Sequence, residues 1–129
     1  MDDCIFCKIV QGTIPAYTVY EDAHYMAFLD IFPRVKGHTL LIPKKHYRWV
    51  YDVPEFGEYW EIARKVANSV QKKTKSSFTS FITMGEEVPH AHIHILPQRT
   101  NTSAGITFAK VIPMSKQELL QLAEDIKNN

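Results

Sequence analysis

The segment His90-Ala91-His92-Ile93-His94-Ile95-Leu96 constrains the fold of this chain more than any other. Imidazole and apolar side chains alternate strictly, a period of two that a strand sorts onto opposite faces and a helix does not. As a strand it presents His90, His92 and His94 on one face and Ala91, Ile93 and Ile95 on the other, with successive imidazoles roughly 6.6 Å apart along the backbone. The apolar back anchors the strand, and the imidazoles stand in a row in front. Three readings are open: a solvated polar face, a metal site, or a reactive centre on the middle imidazole. The outer two imidazoles lie roughly 13 Å apart on a straight strand, too far to share one ion without a bend. A neutral imidazole, with an unperturbed pKa of about 6.5, is a good nucleophile toward phosphorus and a good leaving group. Its neighbours can hold the required tautomer and donate protons to phosphate oxygens, so this third reading fits the spacing better.

The rest of the chain supplies a sheet for that strand. Residues 17–20 and 24–29 read as strands joined by a turn at Glu21-Asp22, and residues 38–42 as a buried strand stopped by Pro43. Residues 78–84 and 91–96 bring the number to five. Phe56, Tyr59, Trp60, Ala63, Val66, Ala67 and Val70 recur three or four apart, which predicts a long amphipathic helix from a start at Asp52 and Pro54 to about residue 73. Residues 4–10 form a short turn or helix ended by Gly12 and Pro15. Ser115-Lys116-Gln117-Glu118 is a capping box that opens a last helix through Leu119, Leu122, Ala123 and Ile126. The expected fold class is α+β, a largely antiparallel five-stranded sheet with one long helix, a short N-terminal helix and a C-terminal helix. With no repeat, linker or low-complexity tract, residues 1–129 read as a single domain.

Fifteen Lys and Arg against fourteen Asp and Glu leave no basic excess, which argues against a nucleic-acid surface but not against a small phosphate ligand held by local groups. No apolar run reaches the roughly 18 residues of a membrane span. The acidic start Met1-Asp2-Asp3 lacks the basic and apolar regions of a signal peptide. The expectation is a soluble, cytoplasmic protein with neither nucleic acid nor membrane as partner. Cys4 and Cys7 are the only cysteines. A disulfide across two residues closes too small a loop to stabilise much, and a thioredoxin-like pair normally follows a buried strand. Half of a zinc site is the better reading, with two more ligands to come from six histidines.

The histidine segment is similar to the His-φ-His-φ-His-φ-φ signature of the histidine triad family of nucleotide hydrolases and transferases. Cys4-Ile5-Phe6-Cys7-Lys8-Ile9, Tyr20-Glu21-Asp22, Ala27-Phe28-Leu29-Asp30-Ile31 and Gly37-His38-Thr39-Leu40-Leu41-Ile42-Pro43-Lys44-Lys45-His46 resemble the family's N-terminal half in the same order, so the likeness covers about residues 4–99. It implies that His92 attacks the α-phosphorus of a nucleoside phosphoramidate or dinucleoside polyphosphate, purine derivatives among them, giving a nucleotidyl-histidine that water hydrolyses. It implies that His94 contacts the phosphate, that His38 is a further active-site histidine, and that Asp30 accepts hydrogen bonds from the ribose hydroxyls. Phe6, Ile9, Phe28 and Ile31 then match the apolar cleft around the base. In zinc-containing members the structural ion is held by residues matching Cys4, Cys7, His46 and His90, which makes His90 a ligand that supports its catalytic neighbour. The family usually forms homodimers through the long helix and a sheet edge, where Tyr59 and Trp60 are the expected contacts. His24 reads as a solvated strand residue.

The chain departs from the family pattern before the triad. An Asn-x-Gly-x-x-x-Gly-Gln-Ser/Thr-Val-like stretch is replaced by Thr83-Met84-Gly85-Glu86-Glu87-Val88-Pro89, shorter and with two carboxylates where an amide and a hydroxyl are usual. Unless they point away or meet a cation, these repel a polyphosphate and favour an amine-bearing leaving group. Gln98 replaces an arginine, with Arg99 one position later, and residues 103–129 match nothing diagnostic. The leading function is a hydrolase or transferase with covalent catalysis at His92. The alternatives are a zinc-stabilised nucleotide-binding or regulatory protein with vestigial catalysis, and a metalloenzyme that activates water on the histidine strand.

Overall fold

Five antiparallel strands form one sheet in the order β1-β2-β3-β5-β4. They are β1 (Thr18–Glu21), β2 (Tyr25–Leu29), β3 (Thr39–Pro43), β4 (Phe78–Ile82) and β5 (Ile93–Gln98), accompanied by helices α1 (Ile5–Gln11), α2 (Phe56–Thr74) and α3 (Lys116–Lys127). The computed structural model describes residues 3–99 and 110–128. The acidic start at Met1 and Asp2, and the part of the 103–129 tail up to residue 109 together with Asn129, lie outside them. The expected α+β architecture is the observed one.

Alternation along the strands divides the core in two. Tyr25, Ala27, Leu41, Ala91, Ile93 and Ile95 meet Tyr59, Ala63, Val66, Ala67 and Val70 of α2 on one face. Met26, Phe28, Leu40 and Ile42 meet Cys4 and Phe6, Cys7 and Ile9 of α1 on the other. The first cluster is bulky and contiguous. The second includes two thiols and borders an open cleft, so the sheet holds a packed side and a chemical side.

Several boundaries differ from the sequence expectation. The last strand begins at Ile93, two residues later than the alternation predicts, because its ladder with β3 starts at the Leu41–Ile93 pair. Ahead of it the His90 Nε2 takes the Pro43 carbonyl at 2.8 Å and the Ala91 amide turns to the Tyr47 carbonyl at 2.7 Å. His90 and His92 therefore precede the strand, and only His94 lies within it. Strand β4 stops at Ile82, where pairing with β5 ends. Asp52 does not open α2: its carboxylate takes the Trp49 amide at 3.2 Å and closes a 3-10 turn over Val50–Asp52, and α2 begins at Phe56.

Tyr59 is not an interface residue. It is fully buried, stacks on Tyr25 at 5.3 Å between ring centroids, and donates its hydroxyl to the Leu41 carbonyl at 2.8 Å. Helical period puts it in line with Ala63, Val66 and Val70, facing the sheet. Trp60, one residue on, is only partly buried and meets Phe56 and Phe81 edge-on. The capping box of α3 is present, with Ser115 Oγ accepting from the Glu118 amide at 3.1 Å and Glu118 Oε1 from the Ser115 amide at 2.9 Å. Its apolar stripe, however, is uncovered: Leu119, Leu120, Leu122 and Ile126 are exposed. His24 is exposed as expected, in the turn before β2.

Candidate active site and metal centre

Cys4 is the N-cap of α1, its Sγ accepting the Cys7 amide at 3.3 Å, so both thiols sit at the positive end of a short helix. His46 follows β3, and His90 lies in the turn before β5. Cys4 Sγ lies 3.3 Å from His90 Nδ1, Cys7 Sγ lies 3.3 Å from His46 Nδ1 and 3.5 Å from His90 Nδ1, and all four donor atoms fall within 4.8 Å of one another. A tetrahedral zinc with bonds of about 2.3 Å to sulfur and 2.0–2.1 Å to nitrogen separates S from N by about 3.6 Å, so these contacts match the edges of such a site. His90 Nε2 donates to the Pro43 carbonyl, which can only accept, so the Nδ1 lone pair faces the thiols. Burial, followed by the hydrogen bond and charge of Cys4, pushes the Cys7 thiol up to about 11. The Cys7 thiol stays protonated unless a cation compensates it. Two thiols and two imidazoles, that of His90 oriented by the Pro43 carbonyl, fit a closed, structural zinc site.

On the same side of the sheet a cleft of about 820 Å³ is lined by His92, His94, His38 and Asp30, with Phe6, Ile9, Phe28 and Ile31 among its apolar walls. Seven of the eight residues expected there come from α1, β2, β3 and β5 or the positions next to them; Ile31 extends the rim. His90 does not line it. Both His90 nitrogens are engaged elsewhere, which removes it as a proton carrier.

The hydrogen bonds assign the tautomers of the cleft histidines. His92 Nδ1–H donates to the His90 carbonyl at 2.7 Å, which leaves the lone pair on Nε2. The Arg34 amide donates to His38 Nδ1 at 3.1 Å, so the proton of neutral His38 is on Nε2, where it bonds His94 Nδ1 at 2.9 Å. His94 then carries its proton on Nε2. Burial lowers the pKa of all three, most clearly His94, down to about 4 with the charges of His92 and His38 adding to the effect. At neutral pH the row is thus uncharged, with a lone pair on His92 Nε2 and an N–H on His94 Nε2.

Asp30, His38 and His94 also lie close enough to hold an ion. Their hydrogen bonds argue otherwise. A metal-bound imidazole normally donates its other N–H to an acceptor, whereas His38 Nδ1 accepts from an amide, so binding through Nε2 requires an imidazolate. The geometry is that of a proton relay, which weakens the catalytic-metal alternative. Asp30 Oδ1 takes the Phe32 amide at 2.8 Å and Oδ2 lies 3.5 Å from His38 Nε2, and the carboxylate keeps lone pairs for further donors.

Glu86 and Glu87 line the cleft, are exposed, and have no ion-pair partner among the described residues. Sequence reasoning missed Arg34, Phe32, Ile82 and Met84 in the lining. Arg34 acts on His38 through its backbone amide, for which no side-chain signal exists.

A profile of the HIT domain matches residues 11–101. An uncharacterized HIT-like protein of Methanocaldococcus jannaschii is 40% identical over 125 residues, covering 92% of this chain and 96% of its own. An adenosine 5'-monophosphoramidase of Schizosaccharomyces pombe is 33% identical over 129 residues, covering 97% and 96%. Among solved structures, a HIT family protein of Bacillus subtilis superposes with a TM-score of 0.86 at 32% identity over 98% of this chain and 96% of its own. A Streptococcus mutans protein superposes with a TM-score of 0.87 at 41% identity over 99% and 85%.

Proposed function

The chain belongs to the HIT domain family, and from that premise we propose that it is a nucleotide hydrolase or transferase that cleaves at the α-phosphorus through a covalent intermediate on His92. The observation that carries the reading is the bond from His92 Nδ1–H to the His90 carbonyl, which directs the Nε2 lone pair to the cleft. Attack by Nε2 forms the N–P bond as the bond to the leaving group breaks and its electron pair departs with that group. His94 Nε2–H donates a hydrogen bond to the departing atom, the Arg34–His38–His94 chain holds that N–H in place, and the leaving group takes its proton from solvent. The nucleotidyl imidazole keeps its Nδ1–H on the carbonyl, is cationic, and is a good leaving group for water. Asp30 takes the ribose hydroxyls, and Phe6, Ile9, Phe28 and Ile31 pack the base. The name of the fission-yeast relative supports a phosphoramidate as substrate.

Cys4, Cys7, His46 and His90 would hold a structural zinc, which ties α1 to the turn that carries His90 and so to the carbonyl that orients His92. The ion supplies rigidity and takes no part in the chemistry. The protein acts as a single domain and as a cytoplasmic homodimer, for which the partly buried Trp60 remains a contact residue. Among the described residues no helix is long and apolar enough to cross a membrane.

The test is hydrolysis of an adenosine phosphoramidate and a diadenosine polyphosphate by the wild type and by His92→Ala, with a mass measurement of the acid-quenched protein. Turnover and a nucleotidyl adduct are expected in the wild type, and both should vanish in the variant while its fold and metal content persist. Nucleotide binding without turnover in the wild type overturns the catalytic reading in favour of a zinc-stabilised binding protein.

A further inference from the structure

We propose that Arg48 is a positioning residue that clamps the Gly85-Glu86-Glu87 loop on the wall of the reactive cleft, an inference that places this loop beside the leaving group and so rests on the catalytic reading above. Residues 46–49 run alongside the turn into β5 and touch it in succession. The His46 ring meets the His90 ring edge-on at 4.8 Å, and the Tyr47 carbonyl accepts the Ala91 amide at 2.7 Å. One Arg48 guanidinium nitrogen then donates to the Gly85 carbonyl at 2.8 Å. The Trp49 ring lies against Gly85 from another side: a Cβ built there would stand 3.4 Å from Trp49 Cε3 and Cζ3. The guanidinium is itself stacked over the Trp49 ring, 3.7 Å from its centroid, which fixes the fork that reaches the carbonyl.

The loop needs such a clamp. Gly85 sits at φ +66°, a conformation open chiefly to glycine, and glycine alone does not hold it. Strand pairing of β4 has already ended at Ile82. Among the described residues, the Arg48–Gly85 bond is the one hydrogen bond that joins residues 84–87 to the rest of the chain. The next two residues are Glu86 and Glu87, which line the cleft together with His92. Their placement against a leaving group is therefore set by a side chain 37 positions earlier in the sequence. A displacement of about 1 Å at such a distance from the chemistry can cost up to about 100-fold in rate.

The test uses the full chain with Arg48→Met, which keeps an apolar stem on Trp49 and removes the fork, and Arg48→Lys, which keeps one donor and the charge. Cleavage by a glutamate-specific protease after Glu86 and Glu87, read by mass spectrometry, is expected to quicken about 10-fold or more in Arg48→Met, with amide protection of β5 unchanged and Arg48→Lys intermediate. Turnover is compared for phosphoramidates that share one nucleoside and differ in leaving group. The expected result in Arg48→Met is a kcat lowered by about 10-fold or more with an altered ratio between leaving groups, while affinity for the nucleoside monophosphate stays within about twofold. Unchanged cleavage in the loop overturns the proposal, as does a loss of amide protection that extends through β5 or an equal loss of turnover for every leaving group. If the wild type turns over nothing, the catalytic reading falls, and loop cleavage alone decides whether Arg48 clamps the loop.

Discussion

Zinc added to metal-free protein should raise its thermal midpoint by an amount the structure allows to be worked out. The larger core, built on Tyr59, Leu41, Ile93 and Ile95, lies on the opposite face of the sheet from the thiols, so the fold does not depend on the ion. The four donors are already gathered at contacts of 3.3–3.5 Å, so binding acts as a ligand on a formed site. Free zinc at 100 times its dissociation constant then adds about 2.7 kcal/mol, less whatever the unfolded thiols capture. For a chain of 129 residues the unfolding entropy is about 0.27 kcal/mol/K, which converts the gain to a rise of about 10 °C. Cys7→Ser removes a thiolate from the set and should abolish both the rise and the one-to-one metal content. Turnover should fall with them, because the carbonyl that orients His92 belongs to the ligand His90. Scanning calorimetry in zinc-buffered solution, with metal analysis of the same samples, makes the measurement. A midpoint indifferent to zinc, or a full rise retained in Cys7→Ser, refutes the reasoning that these four side chains form one site.

The buried histidines also set a pH dependence. His94 lies among His92, His38, Asp30 and Arg34 with its pKa lowered to about 4, so between about 6.5 and that value the unfolded chain binds the proton and the folded chain does not. Stability should hold above about pH 6.5 and decline as pH falls toward 4, and His94→Asn should flatten the decline; equal slopes would show that His94 does not contribute. Glu86 and Glu87 should favour a cationic over an anionic leaving group by about 30-fold for each carboxylate that the charge approaches to about 4 Å in water, about fivefold from attraction of the cation and about fivefold from repulsion of the anion. Equal kcat/KM for the two leaving groups in the wild type, or a preference untouched by the double glutamine variant, counts against this. Tyr59→Phe leaves the buried Leu41 carbonyl without its donor and should cost about 1–3 kcal/mol with no change in kcat. An unchanged midpoint would mean that the carbonyl finds another partner.

Much of this protein was determined by its sequence alone, because the deciding forces were local. The period of two at 91–95 and the period of 3.6 along α2 state which residues turn inward, and backbone geometry enforces them wherever the element packs. The α3 cap could be read from four adjacent residues. The members of the metal cluster and the cleft were legible as residue types and as a resemblance. What tertiary structure decided is where those elements stop and which atom of each imidazole is used. The histidine strand begins at Ile93 because the Ala91 amide turns away from β3 to the Tyr47 carbonyl, a partner no local pattern contains. Tyr59 is core and Trp60 is rim because α2 settles on the sheet at one rotation. His92 presents Nε2, and His94 a proton, because of a carbonyl at His90 and an amide at Arg34. Every backbone carries such groups at every position, so only the folded arrangement distinguishes those that act, and the same holds for Arg48 reaching Gly85 across 37 residues.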